Sequence, residues 1–187
     1  MSARGAATQL VLPVGARDHA QGPADAPVTL VEYGDYECPH CGRAYPIVKK
    51  VQKHFGERLR FVFRNFPLTE SHPHAALAAE AAEAAGDQGR FWEMHDALFE
   101  HQDALEPVDL AGYAKQIGID GKQLLDELRS NAKEARVRED FMSGVRSGVN
   151  GTPTFFLNGM RFDEAWDYAG LTAAIDAAAR GGKPRAR

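Results

Sequence analysis

The stretch VTLVEYGDYECPHC, residues 28–41, decides the fold class of this chain. Its first six residues are apolar, aromatic or β-branched except for Glu32, which is typical of a buried strand, and Gly34 and Asp35 end the run. Pro39 stands where a helix is expected to begin, because its fixed φ suits the first helical position. The stretch therefore predicts a strand that leads directly into a helix, with both cysteines of the chain at the junction.

The residues that follow extend this pattern over the rest of the chain. The helix is expected to reach about Phe55, and LRFVFR, residues 59–64, alternates as a second core strand does. Residues 71–148 have helical spacing almost throughout. TFFLNG, residues 154–159, predicts a strand and the tight turn of a hairpin, and a closing helix is expected over residues 171–180. This order predicts an α/β domain interrupted by an all-helical insertion.

The same pattern predicts where the parts of the chain begin and end. An arm or loop rich in Pro, Gly and Asp is expected ahead of the domain. The α/β domain is expected in two pieces on either side of the insertion, and a flexible basic tail is expected at the end. The predicted parts are residues 1–27 for the arm, 28–70 and 149–180 for the α/β domain, 71–148 for the insertion and 181–187 for the tail.

The composition argues against several classes of protein. The chain has 187 residues, of which 44% are hydrophobic and 26% charged, and this is typical of a globular protein with a core of its own. The net charge of −4 argues against nucleic acid or an anionic membrane as the main partner. No apolar run approaches the roughly 20 residues of a membrane span, and no secretory leader is evident. We therefore expect a cytoplasmic monomer, unless an export signal has been removed.

Cys38 and Cys41 enclose the dipeptide Pro39-His40 at the junction. If Pro39 is the first helical residue, Cys38 is the N-cap, where backbone N–H groups and the positive end of the helix dipole stabilise a thiolate. The His40 ring lies in the same turn and can donate a hydrogen bond or charge to that sulfur, so we expect the pKa of Cys38 to be lowered. Cys41, one turn later, is expected to be the less exposed, resolving thiol.

Several interpretations of the cysteine pair remain open. Thiol–disulfide exchange is favoured, because a C-x-x-C pair beside a strand–helix–strand pattern is typical of redox sites. The pair could instead form half of a zinc site with His72 and His74 in a zinc-binding adaptor. An inert disulfide is disfavoured, because so short a loop gains little from closure. A glutathione-dependent transferase or isomerase on a related fold is a further alternative, although its chemistry does not need the resolving Cys41.

Two other features are expected to lie near the cysteines. Glu32 interrupts the apolar strand, and a buried carboxylate with a raised pKa at this position could relay the proton of Cys41. A solvent-exposed Glu on an edge strand is the alternative. Thr152-Pro153 precedes the third strand, and a cis peptide bond there would leave the Thr152 backbone able to pair with an extended substrate peptide.

Three motifs occur in order along residues 25–159 and carry a resemblance to a known family. They are VTLVEYGDYECPHC, FWEMHDALF at residues 91–99 and GTPTFFLNG at residues 151–159. Together they resemble the DsbA-like branch of the thioredoxin superfamily. The resemblance implies a thioredoxin fold, with a helical insertion between the second core strand and the cis-proline strand, and dithiol–disulfide exchange with protein clients.

The resemblance also implies roles for individual residues. Cys38 is the expected nucleophile and Cys41 the resolving thiol. The other implied site residues are Pro39 and His40 between the cysteines, Glu32 as the buried acid, and Thr152 and Pro153 at the client. The redox-active Cys38–Cys41 disulfide takes the place of a cofactor, and no metal is implied. The expected partners are protein or small-molecule thiols and disulfides and an unidentified recycling partner, with the net direction left open between oxidase, reductase and isomerase.

Overall fold

The structure, a computed structural model, describes residues 9–181. The first eight residues of the predicted arm and the last six of the predicted tail lie outside this range. The order of elements agrees with the predicted strand, helix, strand, helical insertion, hairpin and helix. In chain order they are β1 (His19–Gln21), β2 (Val28–Gly34), α1 (Pro39–Phe55), β3 (Leu59–Asn65), α2 (Ala75–Asp87), α3 (Phe91–Glu100), α4 (Pro107–Gln116), α5 (Gly121–Arg129), α6 (Glu134–Arg146), β4 (Thr154–Leu157), β5 (Met160–Phe162) and α7 (Tyr168–Ala179).

The strands β1 to β5 form one sheet in the order β1-β3-β2-β4-β5. The central strand β2 pairs antiparallel with β4, so that Glu32 lies opposite Phe155 and Tyr33 opposite Thr154. Glu32 is only 2% exposed, and the alternative of a solvent-exposed Glu on an edge strand is therefore wrong. β1 lies within the predicted arm and pairs antiparallel with β3.

Arg64 of β3 holds the segment that precedes β1. Its side chain is fully buried, and Nε and Nη2 donate to the two carboxylate oxygens of Asp18 at 2.8 and 3.1 Å. Nη1 donates to the Tyr33 hydroxyl and to the Leu12 carbonyl, each at 2.9 Å. Burial disfavours the charged guanidinium, but the hydrogen bonds and charges of Asp18 and Tyr33 outweigh it and raise the pKa of Arg64. The segment before β1 is thus tied to the sheet by a buried ion pair.

The insertion contains five helices, α2 to α6, and α2 is buried around most of its circumference. Because alanine side chains are small, α2 can pack closely against α3 and α5. Within residues 9–181, none of the helices combines the length and the apolar character needed to cross a bilayer. The buried residues of α2 are Ala75, Ala78, Ala79, Glu80, Ala81, Ala82, Glu83, Ala84 and Ala85.

The chain divides into two compact units, whose boundaries differ from the predicted ones. The described part of the first unit contains the sheet and α7, and comprises residues 9–33, 44–64 and 142–181. The second unit comprises residues 34–43 and 65–141. The CPHC segment therefore groups with the helical insertion and not with the sheet. The physical reason is that side chains and backbone of the insertion hold the loop before α1.

Candidate active site

Cys38 lies at the N-terminus of α1, as predicted. The helix begins at Pro39, and the Cys38 carbonyl accepts the Gly42 N–H at 3.0 Å, as an N-cap carbonyl does. Both cysteine side chains are buried, with Cys38 3% and Cys41 0% exposed. The backbone N–H of Asp35 donates to the Cys41 sulfur at 3.5 Å. Cys41 is thus the less exposed thiol, although the difference is small.

The Asp35 carboxylate fixes the loop that carries Cys38. Its Oδ1 accepts the backbone N–H groups of Glu37 at 2.8 Å and of Cys38 at 3.2 Å. Its Oδ2 accepts the Leu68 N–H at 2.8 Å. An aspartate that binds the N–H groups of the next residues stabilises a tight turn, and charge strengthens such hydrogen bonds. One buried side chain therefore connects the turn before α1 with the segment that follows β3.

His72 and His74 contact two carboxylates of this loop. His72 Nδ1 lies 2.8 Å from Asp35 Oδ2, and His74 Nδ1 lies 2.8 Å from Glu37 Oε1. The His74 backbone N–H also donates to Glu37 Oε2 at 2.6 Å, and His74 Nε2 lies 3.1 Å from Glu106 Oε1. Over the part of the chain that the structure describes, no group of three or more His, Cys, Asp or Glu could hold a metal ion. The zinc interpretation therefore gains no support from the geometry.

These contacts favour the charged form of both histidines. Burial lowers the pKa of His72, but its hydrogen bond with Asp35 and the charges of Asp35, Cys38 and Glu37 outweigh that effect and raise it. The hydrogen bonds of His74 with Glu37 and Glu106 raise the pKa of His74. Each of the acids that flank Cys38 in the sequence is thus paired with an imidazole.

The His40 ring has a different partner from the one expected. It lies on the exposed first turn of α1, and Arg43 Nη2 is 2.6 Å from its Nδ1. Because a guanidinium can only donate hydrogen bonds, Nδ1 is the acceptor in this contact. The sequence predicts instead that His40 donates a hydrogen bond or charge to the Cys38 sulfur. The role of His40 stays a prediction.

Gln102 is a site residue that no motif in the sequence indicates. Its Nε2 donates to the backbone carbonyls of Tyr36 at 2.8 Å and of Cys38 at 2.9 Å. Its Oε1 lies so close to Gly42 that a Cβ at this position would be 2.0 Å away. A glycine directly after Cys41, inside a helix, is the sequence signal for this close approach.

Replacing Gly42 by Ala is expected to displace the Gln102 amide. Two hydrogen bonds to the loop would be lost, each worth about 0.5–1.5 kcal/mol. Gly112→Ala is the matched control, because Gly112 lies in α4 with open space around its Cα and gains only the helix propensity of alanine. In urea unfolding we expect Gly42→Ala to be less stable than Gly112→Ala by about 1–3 kcal/mol. Equal stabilisation of both variants would contradict the role given to Gln102.

The remaining predicted site residues lie in the unit that contains the sheet. Glu32 is buried in the middle of β2. The Thr152–Pro153 peptide bond is cis, the isomer expected from the sequence, and Pro153 directly precedes β4. Cys38 and Cys41 lie in the other unit. The functional roles of Glu32, Thr152 and Pro153 stay predictions.

A family model described as Thioredoxin matches residues 16–177. The chain belongs to the thioredoxin family. Among solved structures, oxidised BdbD from Bacillus subtilis is 31% identical with a TM-score of 0.78, and the match covers 87% of this chain and 92% of that one. A thioredoxin-like oxidoreductase from Silicibacter pomeroyi is 26% identical with a TM-score of 0.78, covering 89% and 94%. The predicted thioredoxin fold and the resemblance to DsbA-type oxidoreductases are confirmed.

The curated relatives of this chain are named as antiporters, and not as oxidoreductases. The Na(+)/H(+) antiporter NhaA 1 of Salinispora arenicola is 48% identical over 179 residues, which are 95% of this chain and 27% of that protein. The Na(+)/H(+) antiporter NhaA of Herminiimonas arsenicoxydans is 44% identical over 164 residues, which are 88% and 26%. The chain thus spans about a quarter of the length of the curated relatives it matches.

Proposed function

We propose that this protein is a thiol–disulfide oxidoreductase that exchanges its Cys38–Cys41 pair with disulfides of protein clients. The observation that carries the proposal is Cys38 at the N-cap of α1 with Cys41 one turn later, in a chain of the thioredoxin family. A helix N-terminus favours the thiolate at Cys38, and a thiolate is both the better nucleophile and the better leaving group of the two sulfur forms. The resolving thiol argues against a glutathione-dependent transferase.

The chemistry needs only the client and the two cysteines. The Cys38 thiolate attacks one sulfur of a client disulfide, the client S–S bond breaks, and the other client sulfur leaves as a thiolate that takes up a proton. Cys41 then gives up its proton and attacks the Cys38 sulfur, which breaks the mixed disulfide and releases the second client thiol. Two electrons and two protons have then passed to the client, and a Cys38–Cys41 disulfide remains. The reverse sequence oxidises a client dithiol.

The family resemblance supports further roles as parts of this proposal. Glu32 is buried within β2, and its carboxylate takes up the proton that Cys41 gives up and passes it on. The Thr152 backbone and Pro153 contact an extended client segment, and Pro39 begins α1 directly after Cys38. The site uses its own disulfide in place of a metal or organic cofactor, and a second thiol–disulfide protein restores its starting redox state.

The test is a redox titration of the Cys38–Cys41 couple in glutathione buffers, with the thiols quenched by alkylation and counted by mass. We expect one two-electron transition between about −270 mV, typical of thioredoxin, and about −120 mV, typical of DsbA. The less negative end would assign net oxidation and the more negative end net reduction. If no Cys38–Cys41 disulfide forms at any ratio of oxidised to reduced glutathione, the proposal is contradicted. One equivalent of zinc retained through purification and lost in Cys41→Ser would favour the adaptor instead.

The curated relatives favour one kind of client. In proteins named as Na(+)/H(+) antiporters, a region 44–48% identical to this chain is part of the same polypeptide. We therefore propose that the dithiol acts on a membrane protein of this class, a partner that the sequence alone does not indicate. Purified Cys41→Ser protein incubated with membranes should form a reducible adduct with an antiporter. Adducts confined to other proteins would contradict this choice of client.

A further inference from the structure

We infer that His72, and not His40, supplies the positive charge that stabilises the Cys38 thiolate. The inference rests on the proposed function, because it concerns how the same dithiol is activated. It gives one histidine of the His-Pro-His segment the role that the CPHC motif itself gives to His40.

The Asp35 carboxylate joins the two residues. Its Oδ2 lies 2.8 Å from His72 Nδ1, while its Oδ1 accepts the Cys38 backbone N–H at 3.2 Å. The Asp35 side chain is completely buried and the His72 side chain is 18% exposed, so solvent screens this pair much less than a surface pair. The His72 ring is therefore held at a fixed place, with a single carboxylate between it and the N-cap.

The electrostatic interaction between His72 and Cys38 affects the pKa of both groups. The groups that face its ring and raise its pKa are Asp35, Cys38 and Glu37, all on the loop before α1, and they outweigh the opposite effect of burial. Coupling between two titrating sites is reciprocal: if the Cys38 thiolate favours protonated His72, protonated His72 favours the thiolate by the same free energy. Asp35 alone would oppose a thiolate, and its pairing with the imidazolium removes that repulsion.

His40 is in the opposite situation. Its Nδ1 accepts from the Arg43 guanidinium at 2.6 Å, so its hydrogen-bond partner is a cation and not a carboxylate. Its side chain is also exposed, so solvent weakens the field that it could exert at the sulfur. Of the two histidines, His72 thus has both the partner that keeps it charged and the more buried position.

The inference predicts coupled titrations. Protonated His72 stabilises the thiolate at pH values below the raised pKa of its ring, and this effect is lost as the pH rises through that pKa. His74 faces Glu37 and Glu106 instead, which makes it a matched control on the same segment. Removing the charge of His74 should leave the reactivity of Cys38 nearly unchanged.

The first experiment compares His72→Gln, His40→Gln and His74→Gln in the same assays. The rate of Cys38 alkylation by iodoacetamide against pH gives the thiolate midpoint, and glutathione buffers give the equilibrium with the disulfide. We expect His72→Gln to move the midpoint upward by about one pH unit and to shift the equilibrium about tenfold toward the disulfide, which equals about 30 mV. His40→Gln and His74→Gln are expected to shift the equilibrium with the disulfide less than threefold. A larger effect in His40→Gln, or none in folded His72→Gln, would overturn the inference.

The second experiment needs no variant and so does not depend on the folding of one. NMR titration of the imidazole signals in reduced and in oxidised wild-type protein reports each histidine separately. We expect the pKa of His72 to fall on oxidation, because disulfide formation removes the thiolate, while His40 and His74 change less. An unchanged His72 would overturn the inference. Both experiments measure the state of Cys38 without a client. They can therefore contradict the role of His72 while client exchange is observed, or support that role while no client exchange is observed.

Discussion

Cys38→Ser is expected to abolish thiol–disulfide exchange, whereas Cys41→Ser is expected to stop it after the first step. Without the Cys38 sulfur no mixed disulfide can form with the client. Without Cys41 the mixed disulfide forms but cannot be resolved from within the protein, so client adducts accumulate. Insulin reduction should fall to the uncatalysed rate in both variants. Reducible adducts on a non-reducing gel should appear only with Cys41→Ser.

The pattern of adducts distinguishes this assignment from its reverse. Adducts with Cys38→Ser and none with Cys41→Ser would mean that the buried Cys41 is the attacking thiol. A Cys38→Ser/Cys41→Ser double variant is the control, because it has no thiol in the chain. Adducts that persist in the double variant cannot come from a mixed disulfide with this protein.

Asp18→Ala is expected to cause a large loss of stability. It leaves the Arg64 guanidinium buried without its carboxylate, and breaking a buried ion pair from one side costs about 3–5 kcal/mol. Chemical denaturation of Asp18→Ala and wild type measures this loss. The exposed Asp126, which pairs with Lys122 and Arg129 on α5, provides the control. Asp126→Ala is expected to leave the denaturation midpoint nearly unchanged, because solvent screens an exposed ion pair.

A double variant separates the ion pair from simple loss of packing. Asp18→Ala combined with Arg64→Met removes both charges and keeps an apolar side chain of similar length in β3. Because no buried charge is then left alone, the double variant is expected to be more stable than Asp18→Ala. If the stability losses caused by Asp18→Ala and by Arg64→Met simply add in the double variant, the two side chains do not stabilise each other, and their ion pair does not hold the segment before β1.

The parts of the fold that were predictable have local causes. Helix α1 begins at Pro39 and ends at Phe55, as the sequence predicts, because a proline at the first helical position and a glycine after the last residue act on their immediate neighbours. The hairpin at Asn158-Gly159 is another local effect, since the turn type depends on two residues. The cysteine pair and its place at the junction followed from the same short-range reasoning.

The parts that were missed depend on contacts between distant residues. β1 has the sequence His-Ala-Gln, which carries no strand pattern, and it forms through pairing with β3. The His72 ring lies 37 residues from Asp35 in sequence, and His74 lies equally far from Glu37. Histidines at this spacing suit a zinc site as well as two carboxylates, and only the fold decides between them. The same holds for Gln102, whose contacts with the loop carbonyls leave no motif.

The alanines of α2 have a consequence for genetics. These alanines are buried, so a larger side chain in place of one of them would overpack the core at a cost of about 1–3 kcal/mol. Losses of this size lower the abundance of a protein in the cell several-fold, because unfolded molecules are degraded. Loss-of-function alleles should therefore occur along α2 as well as at the cysteines. The two groups would differ in protein level, which is reduced for α2 alleles and normal for alleles of Cys38.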